Sequence, residues 1–139
     1  MNKQFSEIDL FFSNLEKQIL DINLKYDKKI DFGGCGTFSF ALSEVLNKND
    51  VPHEIVYVPE EVTPPNCYRC DIKFEHVLVK VDDILIDNHG MRSQRNYIPT
   101  HSLDKFKLKE MLKDKNLWNH MFPHEEWSNL TQDILNISL

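Results

Sequence analysis

The sequence predicts one α+β domain in which helices pack on a small antiparallel sheet. Apolar residues recur at a three-to-four spacing before about residue 50 and after about residue 102, as in amphipathic helices. Between them lie short runs rich in β-branched residues, as in strands. At 139 residues the chain can bury a real core, but it is too short for a TIM barrel or a two-domain dinucleotide enzyme. We therefore expect a single domain over residues 1–139.

Composition limits the partners that we expect. Acidic residues number 22 and basic residues 16, and a net charge of -6 disfavours a groove that neutralises many phosphates of a nucleic acid. No run of about 20 apolar residues predicts a membrane span. Charges at Lys3, Glu7 and Asp9 argue against a signal peptide, so we expect a cytoplasmic protein with no membrane partner. We expect its three cysteines to be reduced.

The first part of the chain predicts two helices. One runs from about Ser6, a possible N-cap, to Tyr26, with apolar residues at Ile8, Phe11, Phe12, Leu15, Ile19 and Ile22. A polar break and the segment FGGCG follow. The next helix then shows a single apolar stripe of Phe38, Ala41, Leu42 and Val45, and it ends in a polar turn before Pro52.

Strands are predicted in the middle of the chain. His53–Val58 has the composition of a strand, and the aperiodic segment Pro59–Glu75 is the element that we expect to cover a substrate. His76–Gly90 is predicted to form a hairpin around a two-residue loop, Asp82-Asp83.

The last part of the chain predicts two more helices. We expect an irregular stretch from Gly90 to Ser102. Helices over about Leu103–Lys113 and Glu125–Leu135 should follow, the first supported by Leu103, Phe106 and Leu108. Trp118, Phe122 and Trp127 are expected to dock the C-terminal helix on the core.

Glycines mark Cys35 as a special position. Three of the four glycines in the chain, Gly33, Gly34 and Gly36, bracket this cysteine, and glycine permits tight bends and close backbone approach. Cys35 also precedes the second helical stripe, so we predict that it lies at a helix N-terminus. That position favours a thiolate and offers backbone N–H groups to a developing oxyanion. A buried, inert cysteine is the plainer alternative.

The hairpin selects a base for this thiol among six histidines. With a two-residue loop, Val81 faces Ile84 and His76 faces His89. Alternation of side chains then puts His76 and Asp87 on one face, as diagonal neighbours roughly 7–8 Å apart. Asn88 points to the other face, so Asp87 is the predicted orienting group. A three-residue loop would reverse that choice.

With these residues in view, the chain resembles the papain-like and transglutaminase-core superfamily. The similarity lies in GGCGTFSFALSEVL, HVLVKV and ILIDNHG, with a loose match at LWNHMF, and it is greatest to small phage-type or bacterial members of uncertain function. The resemblance implies a papain/transglutaminase-like fold. In that fold a helix headed by the cysteine packs on an antiparallel sheet, and N- and C-terminal helices flank it.

The resemblance also implies roles for single residues. Cys35 would be the nucleophile, His76 the base and later the acid, and Asp87 the orienting carboxylate, with backbone N–H groups of Cys35 and Gly36 as the oxyanion site. Their neighbours Gly34 and Asn88 are our candidates for substrate contact. The implied reaction is acyl transfer from a protein, a peptide or a small amide or ester, as in a protease, deamidase or transglutaminase, without a metal or cofactor.

Two other functions stay open. Papain-like peptidases usually carry a glutamine upstream of the cysteine as an oxyanion donor, and KYDKKIDFGG contains none, although Tyr26 is a possible substitute. This departure favours a non-catalytic binding protein on the same fold. Separately, Cys67 and Cys70 form a C-x-x-C pair that His76 or His89 would complete as a zinc site, although a second pair is missing. The sequence assigns no oligomeric state.

Overall fold

In the described part of the chain, helices lie at both ends and the strands lie between them. The computed structural model describes residues 2–26, 30, 34–59, 74–93, 101–114 and 123–138. This part of the chain confirms the predicted α+β class. A 3-10 turn at His124–Glu126 precedes the last helix. The elements in chain order are α1 (Asn2–Lys25), α2 (Cys35–Lys48), β1 (Glu54–Pro59), β2 (Phe74–Val81), β3 (Ile84–Asp87), β4 (Gly90–Ser93), β5 (His101–Ser102), α3 (Lys105–Met111) and α4 (Trp127–Leu135).

The sheet has five strands in the order β4-β3-β2-β1-β5, and every neighbouring pair is antiparallel. Strands β4 and β5 lie in the stretch from Gly90 to Ser102 that we expected to be irregular, so that expectation was wrong at both ends, while residues 94–100 lie outside the described part of the chain. β4 pairs with β3 across a two-residue turn, and the first residue of β4, Gly90, has a φ of 99°. β5 is only two residues long, too short to show an alternating pattern. Its pairing with β1 supplies what its sequence does not.

Side-chain alternation along β2 divides the core in two. Val77, Val79 and Val81 join the main cluster, which also contains the buried side chains of the helices. Leu78 joins a second, smaller cluster with Val56, Val58 and Leu85. Each buried aliphatic side chain stabilises the fold by about 1.5–3 kcal/mol relative to exposure.

Helix α2 is the central helix of the fold, as predicted. Its apolar stripe of Phe38, Ala41, Leu42 and Val45 is fully buried in the main cluster. Ser39, on the same helix, donates from Oγ to the carbonyl of Val77 on β2 at 3.1 Å. This bond fixes α2 against the strand that carries His76.

The ends of the other helices differ from prediction. α1 begins at Asn2, so Ser6 lies inside the helix and is not its cap. α3 is shorter than predicted and begins after Asp104, whose side chain accepts from the Lys107 N–H. Phe106, expected to support this helix by packing, is exposed. Trp118 and Phe122 lie outside the described residues. Among the residues described, no helix is long and apolar enough to cross a membrane.

Candidate active site

Helix α2 begins at Cys35, and glycine makes that start possible. The N–H of Gly34 donates to the carbonyl of Ile30 at 2.8 Å. A Cβ on Gly34 would lie 3.1 Å from that carbonyl oxygen and 3.2 Å from Cγ2 of Ile30. Only a glycine fits at this approach without displacing Ile30. The close contact thus sets where the helix starts and where the thiol stands.

The first turn of α2 directs backbone N–H groups away from the helix, towards its N-terminal end. The first helical bond runs from the Phe38 N–H to the Gly34 carbonyl at 2.9 Å, and no side chain caps Gly34. Within the described ranges, no backbone carbonyl accepts from the N–H groups of Cys35 or Gly36. Such groups, with the helix dipole, stabilise a negative charge at a helix N-terminus.

The hairpin that carries the candidate base and carboxylate has the predicted register. Asp82 and Asp83 form the two-residue loop, Val81 pairs with Ile84, and Val79 pairs with Ile86. Asp82 has a φ of 52°, as the tight turns of two-residue hairpins require. This is the register that we predicted. It places His76 and Asp87 on the same face of the hairpin.

His76 lies beside an irregularity in the sheet. It pairs with Val58 on β1, but the next β1 residue, Pro59, pairs with Phe74. Glu75 therefore has no residue opposite to it in the β1–β2 register. A bulge of this kind bends a strand and redirects its side chains, and bulges are frequent next to active sites. The strand therefore departs from regular geometry at the position of the imidazole.

His76 and Asp87 are in direct contact. Nε2 of His76 lies 3.0 Å from Oδ2 of Asp87, and the exposed fractions of the two side chains are 14% and 1%. The other carboxylate oxygen, Oδ1, accepts from the backbone N–H of His89 at 2.8 Å. Both oxygens of this buried carboxylate are thus engaged, and its orientation is fixed from two sides.

The position of His89 differs from prediction. We expected it to extend the strand and face His76, but β3 ends at Asp87, which pairs with Gly90. Asn88 and His89 form the two-residue turn to β4. The Asp87 side chain accepts a hydrogen bond from the backbone N–H two residues later. Aspartate is frequent at turns because it can make this bond. The backbone of His89, rather than its position in a strand, therefore contributes to the site.

The same imidazole reaches Cys35. Burial by itself would lower the pKa of His76, but hydrogen bonds to Asp87 and Cys35, and the negative charges of these two groups, raise it to about 10 from 6.5. The structure thus brings together Cys35, His76 and Asp87, the three residues proposed from the sequence. Their catalytic roles stay a prediction.

The two predicted substrate contacts lie in the interior. Gly34 is buried against Ile30. Asn88 is 1% exposed, and its Nδ2 donates to Oδ1 of Asn23 on α1 at 2.9 Å. In these positions both residues contact the protein itself, and their role towards a substrate stays a prediction.

Tyr26 is occupied by another partner. Its hydroxyl donates to Oδ2 of Asp133 on α4 at 2.6 Å, and Lys25 binds the same oxygen at 2.8 Å. Burial and the bond to Asp133 raise the pKa of Tyr26 above its ordinary value. The phenol thus joins the residue after α1 to α4.

Two residues of α1 that we did not single out from the sequence contact the turn after Asp87 and the start of β4. They are Asn23, which binds Asn88, and Glu16, whose Oε2 accepts from the Met91 N–H at 2.8 Å. The only sequence signal is that Asn23 is a polar residue directly after the buried Ile22 in the helical stripe. That signal does not indicate a partner.

The structure does not test the proposed zinc site, because its two cysteines, Cys67 and Cys70, lie outside the described residues. Within the described part of the chain, no group of three or more histidine, cysteine or acidic side chains has the arrangement of a metal site. His76, which we considered as a ligand, is engaged with Asp87 and Cys35.

Comparison of the chain with models of protein families gave no match, and comparisons with curated proteins and with solved structures also gave none.

Proposed function

We propose that this protein is a cysteine-dependent acyl-transfer or hydrolytic enzyme on a papain/transglutaminase-like fold. The observation that carries the proposal is the buried imidazole of His76, which lies 3.0 Å from the Asp87 carboxylate and whose pKa is raised by both Asp87 and Cys35. A thiol nucleophile, a base within reach and a third group that orients the base make up the usual machinery of nucleophilic acyl transfer. A papain-like protease, a deamidase and a transglutaminase all use it.

The raised pKa of His76 determines its protonation in the resting enzyme. With a pKa of about 10, the imidazole holds its proton at neutral pH. A charged imidazolium beside Cys35 and the N-terminus of α2 would both stabilise negative charge on a sulfur that acts as the nucleophile. Asp87 compensates the positive charge and holds the ring through Nε2.

The reaction then follows in two stages. The thiolate of Cys35 attacks the substrate carbonyl carbon and forms a C–S bond. As the C–N or C–O bond breaks, the leaving group takes the proton of the His76 imidazolium. Neutral His76 next removes a proton from water or an amine, which attacks the thioester, breaks the C–S bond and restores thiolate and imidazolium.

Backbone groups supply the stabilisation of the oxyanion in this proposal. The N–H groups of Cys35 and Gly36 have no acceptor among the described residues and lie at the positive end of α2. An oxyanion formed at the attacked carbonyl has these donors beside it. The acyl substrates that we propose are proteins, peptides or small amides and esters. We further propose a cytoplasmic protein of the phage-type or bacterial kind.

One observation favours the alternative of a non-catalytic binding protein. Tyr26, the side chain that we considered as a substitute for the missing upstream glutamine, is bonded to Asp133. In the part of the chain described, no side chain caps the start of α2. A fold that kept the three residues but bound its partner without chemistry would tolerate this loss.

The decisive experiment is the rate of Cys35 alkylation by iodoacetamide as a function of pH. Cys67 and Cys70 are replaced by serine so that a single thiol reports. We expect rapid alkylation well below the value of about 8.5 at which a free thiol ionises, and we expect His76→Ala to remove the advantage. His53→Ala is the matched control, since His53 binds Ser43 and the Val51 carbonyl instead of Cys35. A thiol that titrates normally whatever residue occupies position 76 would refute the proposed nucleophile.

A second measurement separates catalysis from a reactive but idle thiol. Wild-type protein is mixed with p-nitrophenyl acetate, and acyl-enzyme formation is followed by mass spectrometry. We expect one acetyl group on Cys35 and then its loss to water. If Cys35 is alkylated rapidly but is neither acylated by this ester nor turns it over, the non-catalytic alternative is supported.

A further inference from the structure

Helix α1 places two polar side chains on the turn that follows Asp87. Glu16 and Asn23 are seven residues apart, about two helical turns, so they project from one side of the helix. Asn23 accepts from Asn88 at 2.9 Å, and Glu16 accepts from the Met91 N–H at 2.8 Å. One bond therefore holds the turn itself and the other holds the start of β4 directly after it, both from the side of α1.

This turn controls the orientation of the Asp87 carboxylate. Oδ1 of Asp87 accepts from the N–H of His89, which lies within the turn, while Oδ2 meets His76. A shift of the turn would move the N–H of His89 and rotate the carboxylate away from the imidazole. Asn88 and His89 are neighbours, so the bond from Asn23 to Asn88 acts one residue from that N–H.

The fit of Glu16 against the turn is tight. Gly90 has a φ of 99°, and a Cβ at this position would lie 2.7 Å from Oε2 of Glu16. Glycine thus satisfies both the backbone conformation and the close approach of the carboxylate. The turn and helix α1 are matched in shape as well as in hydrogen bonding.

The Asn23–Asn88 pair is also buried, with exposed fractions of 5% and 1%. Two amides removed from water are costly unless they bond to each other, whereas apolar side chains would pack there without that requirement. A buried polar pair constrains geometry more than it adds stability. Because the Asn23–Asn88 pair lies next to His89, which bonds the Asp87 carboxylate, the constraint acts on the orientation of that carboxylate.

We propose that Asn23 and Glu16 are positioning residues, which hold the β3–β4 turn so that Asp87 addresses His76. The proposal rests on the proposed function of Cys35, His76 and Asp87. It assigns a role in the site to α1, a part of the chain that contributes little to the family resemblance.

The test uses two pairs of variants in the full chain with Cys67 and Cys70 replaced by serine. Asn23→Leu removes the acceptor for Asn88, while Asn23→Asp retains an oxygen there. Glu16→Ala removes the acceptor for Met91, while Glu16→Gln retains one. Ile19→Ala is the control for lost stability, because Ile19 is a fully buried α1 residue whose side chain makes no polar contact with the turn.

Two readouts are measured on the folded protein. The first is the alkylation rate of Cys35 as a function of pH, and the second is the titration of His76 followed by NMR. We expect Asn23→Leu and Glu16→Ala to slow alkylation at neutral pH by about tenfold, as a small misplacement of a reacting group does. We also expect them to lower the pKa of His76, with Asn23→Asp and Glu16→Gln close to wild type.

The outcomes distinguish the two proposals. If wild-type alkylation is rapid and His76-dependent but both readouts in Asn23→Leu and Glu16→Ala match those of Ile19→Ala, the positioning role is refuted and the proposed function stands. If wild-type Cys35 is slow, the proposed function fails. The His76 titration then still decides whether α1 orients Asp87. Should Asn23→Leu fail to fold, the Glu16 pair gives the same decision.

Discussion

Nε2 of His76 lies 3.0 Å from Oδ2 of Asp87, although β2 and β3 place the two residues on different strands of the sheet. The contact is diagonal, because the hairpin register sets Asp87 beyond the Val79–Ile86 pair. The carboxylate is buried, and its other oxygen is bonded to the backbone of His89, so Oδ2 is held towards the imidazole. The following predictions examine what this contact and its surroundings do.

Removing the charge of Asp87 should lower the pKa of His76. Asp87→Asn keeps the size of the side chain but loses the carboxylate that helps to raise the pKa to about 10. We expect the NMR titration of His76 to move towards 6.5, its ordinary value, and alkylation of Cys35 at neutral pH to slow by at least about tenfold. Asp83→Asn in the exposed hairpin loop is the control. A His76 titration that is unchanged in Asp87→Asn would contradict the electrostatic role of Asp87.

The stability of the protein should fall as the pH rises from neutral towards 10. The pKa of His76 is raised in the folded state, so the folded protein holds this proton where the unfolded chain releases it. This contribution is complete below about 6.5 and is lost as the pH approaches about 10. Urea unfolding between pH 6 and 9.5 measures it. His76→Gln should show a shallower decline, and equal slopes for the two proteins would argue against a raised pKa.

Tyr26→Phe should reduce stability without affecting the thiol. The substitution removes the 2.6 Å bond to Asp133 and keeps the aromatic ring. We expect a loss of about 1.5–3 kcal/mol in the free energy of unfolding, as for a bond to a charged group. The alkylation profile of Cys35 should match wild type. Lys25→Ala, which removes the exposed partner of Asp133, should cost less. Slower acylation of Cys35 in Tyr26→Phe would restore Tyr26 as an oxyanion donor.

Gly34→Ala should disturb the start of α2. The new methyl group would lie 3.1–3.3 Å from the backbone and side chain of Ile30, which must then move. We expect a loss of about 1–3 kcal/mol, as for overpacking elsewhere, together with slower alkylation of Cys35. Asn47→Ala, at an exposed position near the end of the same helix, is the control. Wild-type stability and reactivity in Gly34→Ala would show that the helix start tolerates the shift.

Local pattern was enough to predict several elements. The glycines and the apolar stripe located the start of the helix at Cys35, and the two apolar runs around Asp82-Asp83 set the hairpin register. Strand β4 escaped prediction because its sequence, Gly-Met-Arg-Ser, has no apolar alternation. It forms because β3 and a tight turn present it with a partner. For the same reason His89 was placed in a strand when it belongs to the turn.

By itself, the sequence determined which side chains share a face and which residue heads a helix, because these follow from backbone periodicity over a few positions. Only the tertiary structure decided that Cys35 meets His76, since the two residues are 41 positions apart and their contact depends on how α2 packs on β2. It also decided that Tyr26 binds α4 and that α1 supports the turn after Asp87. Such polar contacts between distant segments leave no periodic signal, because each is set by the packing of whole elements.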